Sequence, residues 1–289
     1  QTLTATRGAR KATPLAVRAV IGAFASLALL VASQPGFGTA PNTAFAGKGP
    51  TKVDSTARTT TTTETTTTGT TVAGPADAAP MALVTESTGA RAYWKAGFTG
   101  KGIDIAIIDS GIAPVNGLSA SGKVILGPDL SFESQDPATR YLDTNGHGTH
   151  LAGIVAGRDS SVTKNYAGNT AAFLGMAPDA RLVSIKVADS VGRTDVSQVI
   201  AGIDWVVQHK NDNGMNIRVL LLAFGTDSTA PWYHDPLVQA AEVAWKNGIF
   251  VVISAGNDGE GAKWTGSLSN PARSPNLMTV GATDTVATS

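Results

Sequence analysis

A histidine in a run of small residues is the first feature of this sequence that could do chemistry. His147 lies in the stretch Asn145–Gly157, which reads N-G-H-G-T-H-L-A-G-I-V-A-G. The glycines on either side of it let a backbone or a substrate approach closely. The stretch reads as a polar turn that opens a buried helix and fixes the first side chain in place. An imidazole, with an ordinary pKa of about 6.5, suits proton transfer at neutral pH.

Taken alone, the stretch leaves three interpretations open. His147 could be a catalytic base. His147 and His150 are three residues apart, so on a helix both could also face one metal ion. In the third interpretation the helix is simply capped and both histidines are incidental. The rest of the chain has to decide between them.

Two further polar segments follow apolar runs that are typical of buried strands. Asp109 comes directly after the run 103–108, and Asn257 lies in the glycine-rich loop after the run 249–253. Because function gathers at the carboxyl ends of parallel strands, we expect these two residues and His147 to meet at one edge of a sheet. A buried carboxylate needs a partner such as an imidazole N–H, and an amide could donate to a developing oxyanion. The structural alternatives are a turn cap at Asp109 and a left-handed backbone at Asn257.

The elements that must position these residues alternate between short apolar runs and amphipathic stretches. The stretch Val196–Val207 carries an apolar stripe with a 3.6-residue period, and Leu237–Trp245 is similar and ends at Asn247-Gly248. This alternation predicts an α/β fold with a parallel sheet and helices on both faces. The predicted strands, buried on both faces, are Ile103–Ile108, Leu182–Val187, Ile217–Phe224, Ile249–Ile253 and Leu277–Val280.

The composition is that of a globular protein without a strongly charged partner. Hydrophobic residues make up 42% of the 289 residues, and the formal net charge is zero, so nothing points to nucleic acid. The sequence contains no cysteine. This excludes disulfides, thiolate metal sites and a cysteine nucleophile among these residues.

The N-terminal third is predicted to serve export rather than folding. Residues 1–46 combine a basic leader, the apolar run Ala19–Ser33 and the small-x-small sequence Ala44–Ala46, which together read as a signal peptide cleaved before Gly47. An uncleaved membrane anchor is the alternative. Residues 47–80 are rich in threonine and predict a flexible linker, which leaves 81–289 as the folded domain. We therefore expect a secreted, extracellular protein with no stable membrane association after cleavage.

Together, the three polar segments resemble the subtilisin-like serine peptidases, or subtilases. The matching stretches are Ala106–Gly111 (A-I-I-D-S-G), Asn145–Gly153 (N-G-H-G-T-H-L-A-G) and Val251–Gly259 (V-V-I-S-A-G-N-D-G), and they follow the chain order of that family. The resemblance implies a subtilisin-like parallel sheet and a serine endopeptidase. By that resemblance Asp109 orients His147, His147 acts as the general base, and Asn257 donates to the oxyanion. The metal interpretation of the two histidines then loses most of its weight.

The resemblance also implies a cleft for protein or peptide substrates. Gly192 and Thr194 fall where relatives offer an edge strand, beside which an extended peptide would add through main-chain hydrogen bonds. We expect a monomer that needs no cofactor for catalysis. Relatives often hold a structural calcium near the polar loop Arg158–Ala172, but its oxygen ligands match no spacing that could be transferred, and a solvated loop is the better interpretation. The implied pocket residues are Ala223, Phe224, Gly225, Ser254, Ala255 and Gly256.

The nucleophilic serine of the family is missing from the sequence. In relatives it lies in a Gly-Thr-Ser-x-Ala turn, and no such stretch occurs in residues 1–289. The stretch Asn276–Asp284 resembles the strand that precedes this turn, so we expect a peptidase domain that is incomplete at its C-terminus and inactive by itself. The alternative is a non-catalytic remnant or peptide-binding module. A nucleotide-binding protein is disfavoured because the turn after Asp109 lacks the G-x-G-x-x-G pattern.

Overall fold

A parallel sheet forms the centre of the computed structural model, which describes residues 80–226, 228, 230–256 and 268–281. Within these ranges the sheet has six strands in the order β2-β3-β1-β4-β5-β6, and each neighbouring pair is parallel. All carboxyl ends therefore lie at one edge. The strands are β1 Asp104–Asp109, β2 Val124–Asp129, β3 Arg181–Lys186, β4 Ile217–Leu222, β5 Phe250–Ser254 and β6 Met278–Val280.

Helices cover both faces of this sheet. One core cluster joins the apolar side of α3 to residues of α1 and α2, and a second cluster packs α4 and α5 against the opposite face. The predicted α/β fold with helices on both faces is confirmed. The helices are α1 Pro80–Ser87, α2 Ala90–Lys95, α3 His147–Ala156, α4 Val196–His209 and α5 Pro236–Lys246, and short 3-10 helices span Tyr166–Gly168, Asp212–Gly214 and Trp232–His234.

Burial explains why the apolar runs form strands. All six residues of β1 are buried, as are five of the six residues in β3 and in β4. Each apolar side chain removed from water there contributes about 1.5–3 kcal/mol before the entropy of ordering is counted. A chain with uninterrupted apolar residues gains this on both faces of a central strand, whereas an amphipathic chain does not.

Strand β2 and helices α1 and α2 were not predicted. Strand β2 offers only Val124, Ile125 and Leu126 before Gly127 and Pro128, and Leu126 is exposed. The strand lies at the edge of the sheet and pairs only with β3 among the described strands. An edge strand buries less surface, so its sequence lacks the long apolar run that marks the central strands.

Several predictions fall on residues outside the described ranges. The proposed signal peptide, nearly all of the threonine-rich linker and Asn257 are among them, so the domain boundaries 1–46, 47–80 and 81–289 stay predictions. Across the helices that the structure does describe, none has the length and apolar character needed to cross a membrane.

Candidate active site

Asp109 and His147 meet at the carboxyl edge of the sheet. Nδ1 of His147 lies 2.9 Å from Oδ1 and 3.0 Å from Oδ2 of Asp109. Asp109 ends β1 and its side chain is 5% exposed, whereas the side chain of His147, the first residue of α3, is 33% exposed. A carboxylate at Nδ1 holds the proton on that nitrogen and leaves Nε2 as the proton acceptor.

The contact depends on how the first turn of α3 lies against the end of β1. A Cβ atom at Gly148 would collide with the carbonyl oxygen of Gly111, so only glycine fits. Gly146, the N-cap of α3, has φ 99°, a backbone conformation that favours glycine. The expectation that glycines beside His147 permit a close backbone approach is met at Gly148. As a result, Nδ1 of the imidazole reaches the carboxylate of Asp109.

Electrostatics favours the charged form of this histidine. The hydrogen bond to Asp109 raises the pKa of His147 above its ordinary value of 6.5, burial opposes the rise, and the negative charges of Asp109 and Asp143 add to it. His150 behaves in the opposite way, because burial and the neighbouring His147 lower the pKa of its imidazole. The two histidines therefore lie in different electrostatic environments.

The residues predicted to line a pocket lie at the same edge of the sheet. Ile108, Leu222 and Ile253 form one row across β1, β4 and β5, so Asp109, Ala223 and Ser254 come next along their chains. Phe224 and Gly225 continue from β4, and a Cβ atom at Gly225 would overlap the Ser269 hydroxyl. Ala255 N donates to Val280 O over 2.9 Å, and Gly256 has φ 87°. Asn257 follows directly but is not described.

The segment containing Gly192 and Thr194 approaches the turn before His147. Nδ2 of Asn145 donates to the Ser190 carbonyl over 3.1 Å. Gly192 belongs to a turn closed by Asp189, whose Oδ1 accepts from the backbone N–H groups of Val191 and Arg193. Residues 192–195 pair with no other strand in the part of the chain that is described. The backbone groups of Arg193 and Asp195 bond to Asp189 and Gln198, whereas those of Thr194 make no hydrogen bond within the described residues. An added strand would therefore pair at Thr194.

Sequence reasoning missed an ion pair behind this site, formed by a buried lysine and a half-buried glutamate. Lys186 is 1% exposed at the end of β3, and its Nζ lies 2.6 Å from Oε2 of Glu133. The same Nζ donates to the carbonyls of Thr139 (3.2 Å) and Leu142 (2.5 Å), while Oε1 of Glu133 accepts from Ser190 N over 3.0 Å. The pair thus joins the loop before His147 to the turn before Gly192. A lone lysine after an apolar run gives no sequence signal for such a role.

The carboxylates in and near the polar loop expected by a family calcium site are engaged in hydrogen bonds within the described residues. Oδ1 of Asp159 accepts from Ser161 N and Oγ, and Oδ1 of Asp179 accepts from Arg158 Nη1 and Tyr166 OH. A guanidinium therefore already neutralises Asp179. No group of three or more histidine, aspartate or glutamate side chains suited to a metal ion occurs in the described ranges.

The sequence matches the model of one known protein family. The model of the Subtilase family matches residues 100–289, which is well over half of the chain. The chain belongs to the subtilase family.

Curated relatives cover a similar part of the chain. It is 34% identical over 211 residues to serine protease AprX of Bacillus subtilis (strain 168), an alignment covering 71% of this chain and 44% of that protein. It is 36% identical over 188 residues to subtilisin Savinase of Lederbergia lenta, covering 65% of this chain and 58% of that protein. The chain thus spans less than two thirds of either relative. A crystal structure of a cold adapted subtilisin-like serine proteinase aligns with a TM-score of 0.47 and 28% identity, covering 64% of this chain and 56% of that chain.

Proposed function

We propose that the protein is a serine endopeptidase in which Asp109 and His147 are two members of an Asp-His-Ser triad. The observation that carries the proposal is the contact of Asp109 with Nδ1 of His147 at 2.9 Å, at the open edge of the sheet. In this mechanism Nε2 of His147 takes the proton of the serine hydroxyl and later gives it to the leaving amine. Asp109 holds the imidazole in the required tautomer and stabilises the imidazolium.

We propose that the nucleophile lies outside the 289 residues, because the Gly-Thr-Ser-x-Ala turn of relatives does not occur among them. Ser110 does not serve, because its hydroxyl is already bound between Asp143 and Gly148 N, at 2.8 Å and 2.9 Å. Ser254 does not serve either. It ends β5, in a stretch that matches a family motif other than the one that carries the nucleophile. These 289 residues would then carry the acid and the base but would not hydrolyse peptides by themselves.

The proposed substrates are proteins and peptides, bound as an extended strand. Gly192 and Thr194 would lie along one side of that strand and Ala223–Gly225 along the other, with Ser254–Gly256 lining the pocket for the residue before the cut bond. Within the described residues this segment joins no strand and the backbone of Thr194 makes no hydrogen bond, which supports this arrangement. The chemistry needs no cofactor, and we propose a monomer.

The test uses the full-length protein with casein and a fluorophosphonate that labels serine nucleophiles. We expect casein hydrolysis, its loss after labelling, and a labelled serine that lies outside residues 1–289. A label on a serine within these residues would contradict the proposed origin of the nucleophile. Peptide binding without any hydrolysis would favour the alternative of a non-catalytic peptide-binding module.

Asn257 is proposed to donate its side-chain amide to the oxyanion. Since such a donor acts on the transition state, Asn257→Ala is expected to lower kcat about 100- to 1,000-fold, the magnitude known for this kind of donor, with little change in KM. Steady-state kinetics on a chromogenic peptide measures both constants. A change confined to KM would count against the oxyanion role.

Export is proposed from the N-terminal sequence. The basic leader and apolar run of residues 1–46, followed by a threonine-rich stretch, support secretion and cleavage before Gly47. One relative, 33% identical over 191 residues, is the minor extracellular protease Epr of Bacillus subtilis (strain 168); the alignment covers 66% of this chain and 25% of that protein. N-terminal sequencing of protein from the culture medium should begin at Gly47. Protein found only in the membrane fraction would favour the anchor alternative.

A further inference from the structure

The carboxylate of Asp143 accepts five hydrogen bonds from three segments around the Asp109–His147 pair. Oδ1 accepts from the hydroxyl of Ser110 (2.8 Å) and from the backbone N–H groups of Asn145 (3.1 Å) and Gly146 (2.8 Å). Oδ2 accepts from Thr149 N (2.8 Å) and Thr149 Oγ1 (2.5 Å). One side chain thus connects the end of β1, the turn before α3 and the first turn of α3.

Asp143 replaces the missing N-cap side chain of α3. The N-cap residue Gly146 has no side chain to offer, so the N–H of Thr149, at the third position of the helix, bonds to Asp143 instead. A negative charge at this end of a helix is also favourable. The hydroxyl of Thr149 accepts in turn from Ala113 N over 2.8 Å, beyond the end of β1. The cap therefore fixes α3 relative to the strand that carries Asp109.

Asp143 also determines where the single hydroxyl proton of Ser110 goes. Ser110 Oγ is 2.8 Å from Asp143 Oδ1 but 3.2 Å from Asp109 Oδ1, so the shorter bond takes the proton. Ser110 Oγ also accepts a hydrogen bond from Gly148 N over 2.9 Å. Asp109 is left with the backbone N–H of Ser110 at 2.7 Å and with Nδ1 of His147. The carboxylate of Asp109 thus keeps its capacity for the imidazole.

We propose that Asp143 is a positioning residue for the Asp109–His147 pair. It locks the first turn of α3 against the end of β1, so that the imidazole stays at hydrogen-bond distance from Asp109. The kinetic consequence rests on the proposed peptidase function, whereas the effect on the imidazole itself does not. Asp143 touches neither the substrate nor the reacting atoms, and it acts through Ser110 and the start of the helix.

The charges near His147 give this role a signature that a purely structural residue lacks. Within the described residues the charged or titratable neighbours of this imidazole are Asp109 from β1, Asp143 from the turn and His150 from its own helix. Burial opposes ionisation of Asp143, but hydrogen bonds from Thr149, Gly146 and Ser110 outweigh it and keep the pKa of that carboxyl below its ordinary value. Its charge is therefore present throughout the neutral range. Replacing it with a neutral group must lower the pKa of His147.

The experiment compares Asp143→Asn with the wild type in the full-length protein. The pKa of His147 is measured by NMR titration of its imidazole resonance, which the His147→Ala spectrum identifies, and kcat/KM is measured against pH on a peptide substrate. We expect a lower pKa for His147 and an acid limb shifted to lower pH. We also expect an alkaline plateau of kcat/KM reduced about 10- to 100-fold, because the base is misplaced.

Two companion variants separate charge, geometry and simple loss of a helix cap. Thr149→Val removes one hydrogen-bond donor to Asp143 but keeps the charge of the Asp143 carboxylate. The alkaline plateau of kcat/KM should therefore fall, whereas the pKa of His147 should stay unchanged. Asp235→Asn removes a capping carboxylate from α5, on the opposite face of the sheet, and should leave both the acid limb and the pKa of His147 unchanged.

The possible failures are distinguishable. If the wild type hydrolyses no peptide, the proposed function is wrong, but the NMR titration still tests the position of the imidazole. An unchanged pKa and plateau in Asp143→Asn would overturn the positioning role. If Asp143→Asn does not fold, Thr149→Val decides, because a wild-type plateau in that variant would also overturn it.

Discussion

Replacing His147 by alanine in the full-length protein is expected to lower kcat for peptide hydrolysis by about a millionfold, the magnitude known for histidines in such triads. The imidazole is the proposed acceptor of the serine proton, and alanine supplies no such group. KM should change little, because the proposed peptide contacts come from the backbone of Thr194 and of residues 223–225, not from the imidazole. The loss therefore lies in the chemical step.

Asp109→Asn is a companion that removes the acid but keeps the shape of the side chain. An asparagine amide pointing at Nδ1 favours the tautomer with its proton on Nε2, so that nitrogen no longer accepts the serine proton. The expected loss in kcat is about 10,000-fold, the magnitude known for this change in a serine peptidase triad. A smaller loss than for His147→Ala follows because the base is still present.

Single-turnover and steady-state kinetics on a chromogenic peptide measure these losses, with circular dichroism as a check on folding. His209→Ala is a suitable control, since His209 lies in α4 on the other face of the sheet and its Nδ1 contacts the carbonyl of Trp205. That variant should retain nearly wild-type activity. If His147→Ala does so too, the assignment of the base is wrong.

The central sheet could be predicted from the sequence because strands that are buried on both faces appear as short apolar runs. A strand covered on both faces is apolar along most of its length, as the middle of β1 (Ile105–Ile108), of β3 (Leu182–Ile185, with one serine) and of β4 (Val219–Leu222) are. Parallel strands then bring Asp109 and the turn of His147 to the same edge, and the structure places them 2.9 Å apart. Their catalytic roles, like those of the pocket residues, stay predictions.

The supporting polar network could not be predicted because its contacts join distant parts of the chain. Ser110 and Asp143 are 33 residues apart, and Lys186 and Glu133 are 53 residues apart. Asp143 precedes its helix by several residues and so escapes the usual N-cap pattern, in which the capping residue adjoins the helix. The sequence around Asp143, Lys186 and Glu133 does not distinguish these residues from charged residues on a solvated surface.

The ion pair between the buried Lys186 and the half-buried Glu133 gives the second large prediction. Burial by itself raises the pKa of Glu133, but hydrogen bonds from Lys186, Thr144 and Ser190 outweigh it and lower that pKa from 4.5 to about 2. A carboxyl whose pKa falls on folding stabilises the folded state above its unfolded pKa. This contribution to the free energy of unfolding is therefore full above about pH 5 and is lost as the pH falls from 4.5 towards 2.

Glu133→Gln is expected to lower the free energy of unfolding at pH 7 by about 3–5 kcal/mol, because it removes the carboxylate that pairs with the buried Nζ of Lys186. Urea denaturation at pH 7, 4 and 3 measures it, and the variant should lose less stability than the wild type between pH 4 and 3. The matched control is Glu86→Gln, which removes an ion pair with Arg91 whose carboxylate side chain is 73% exposed, and should cost less than about 1 kcal/mol. If the two variants lost the same free energy of unfolding, the carboxylate of Glu133 would not be the group that stabilises the buried Lys186. The ion pair would then not be what holds the loop before His147 to the turn before Gly192.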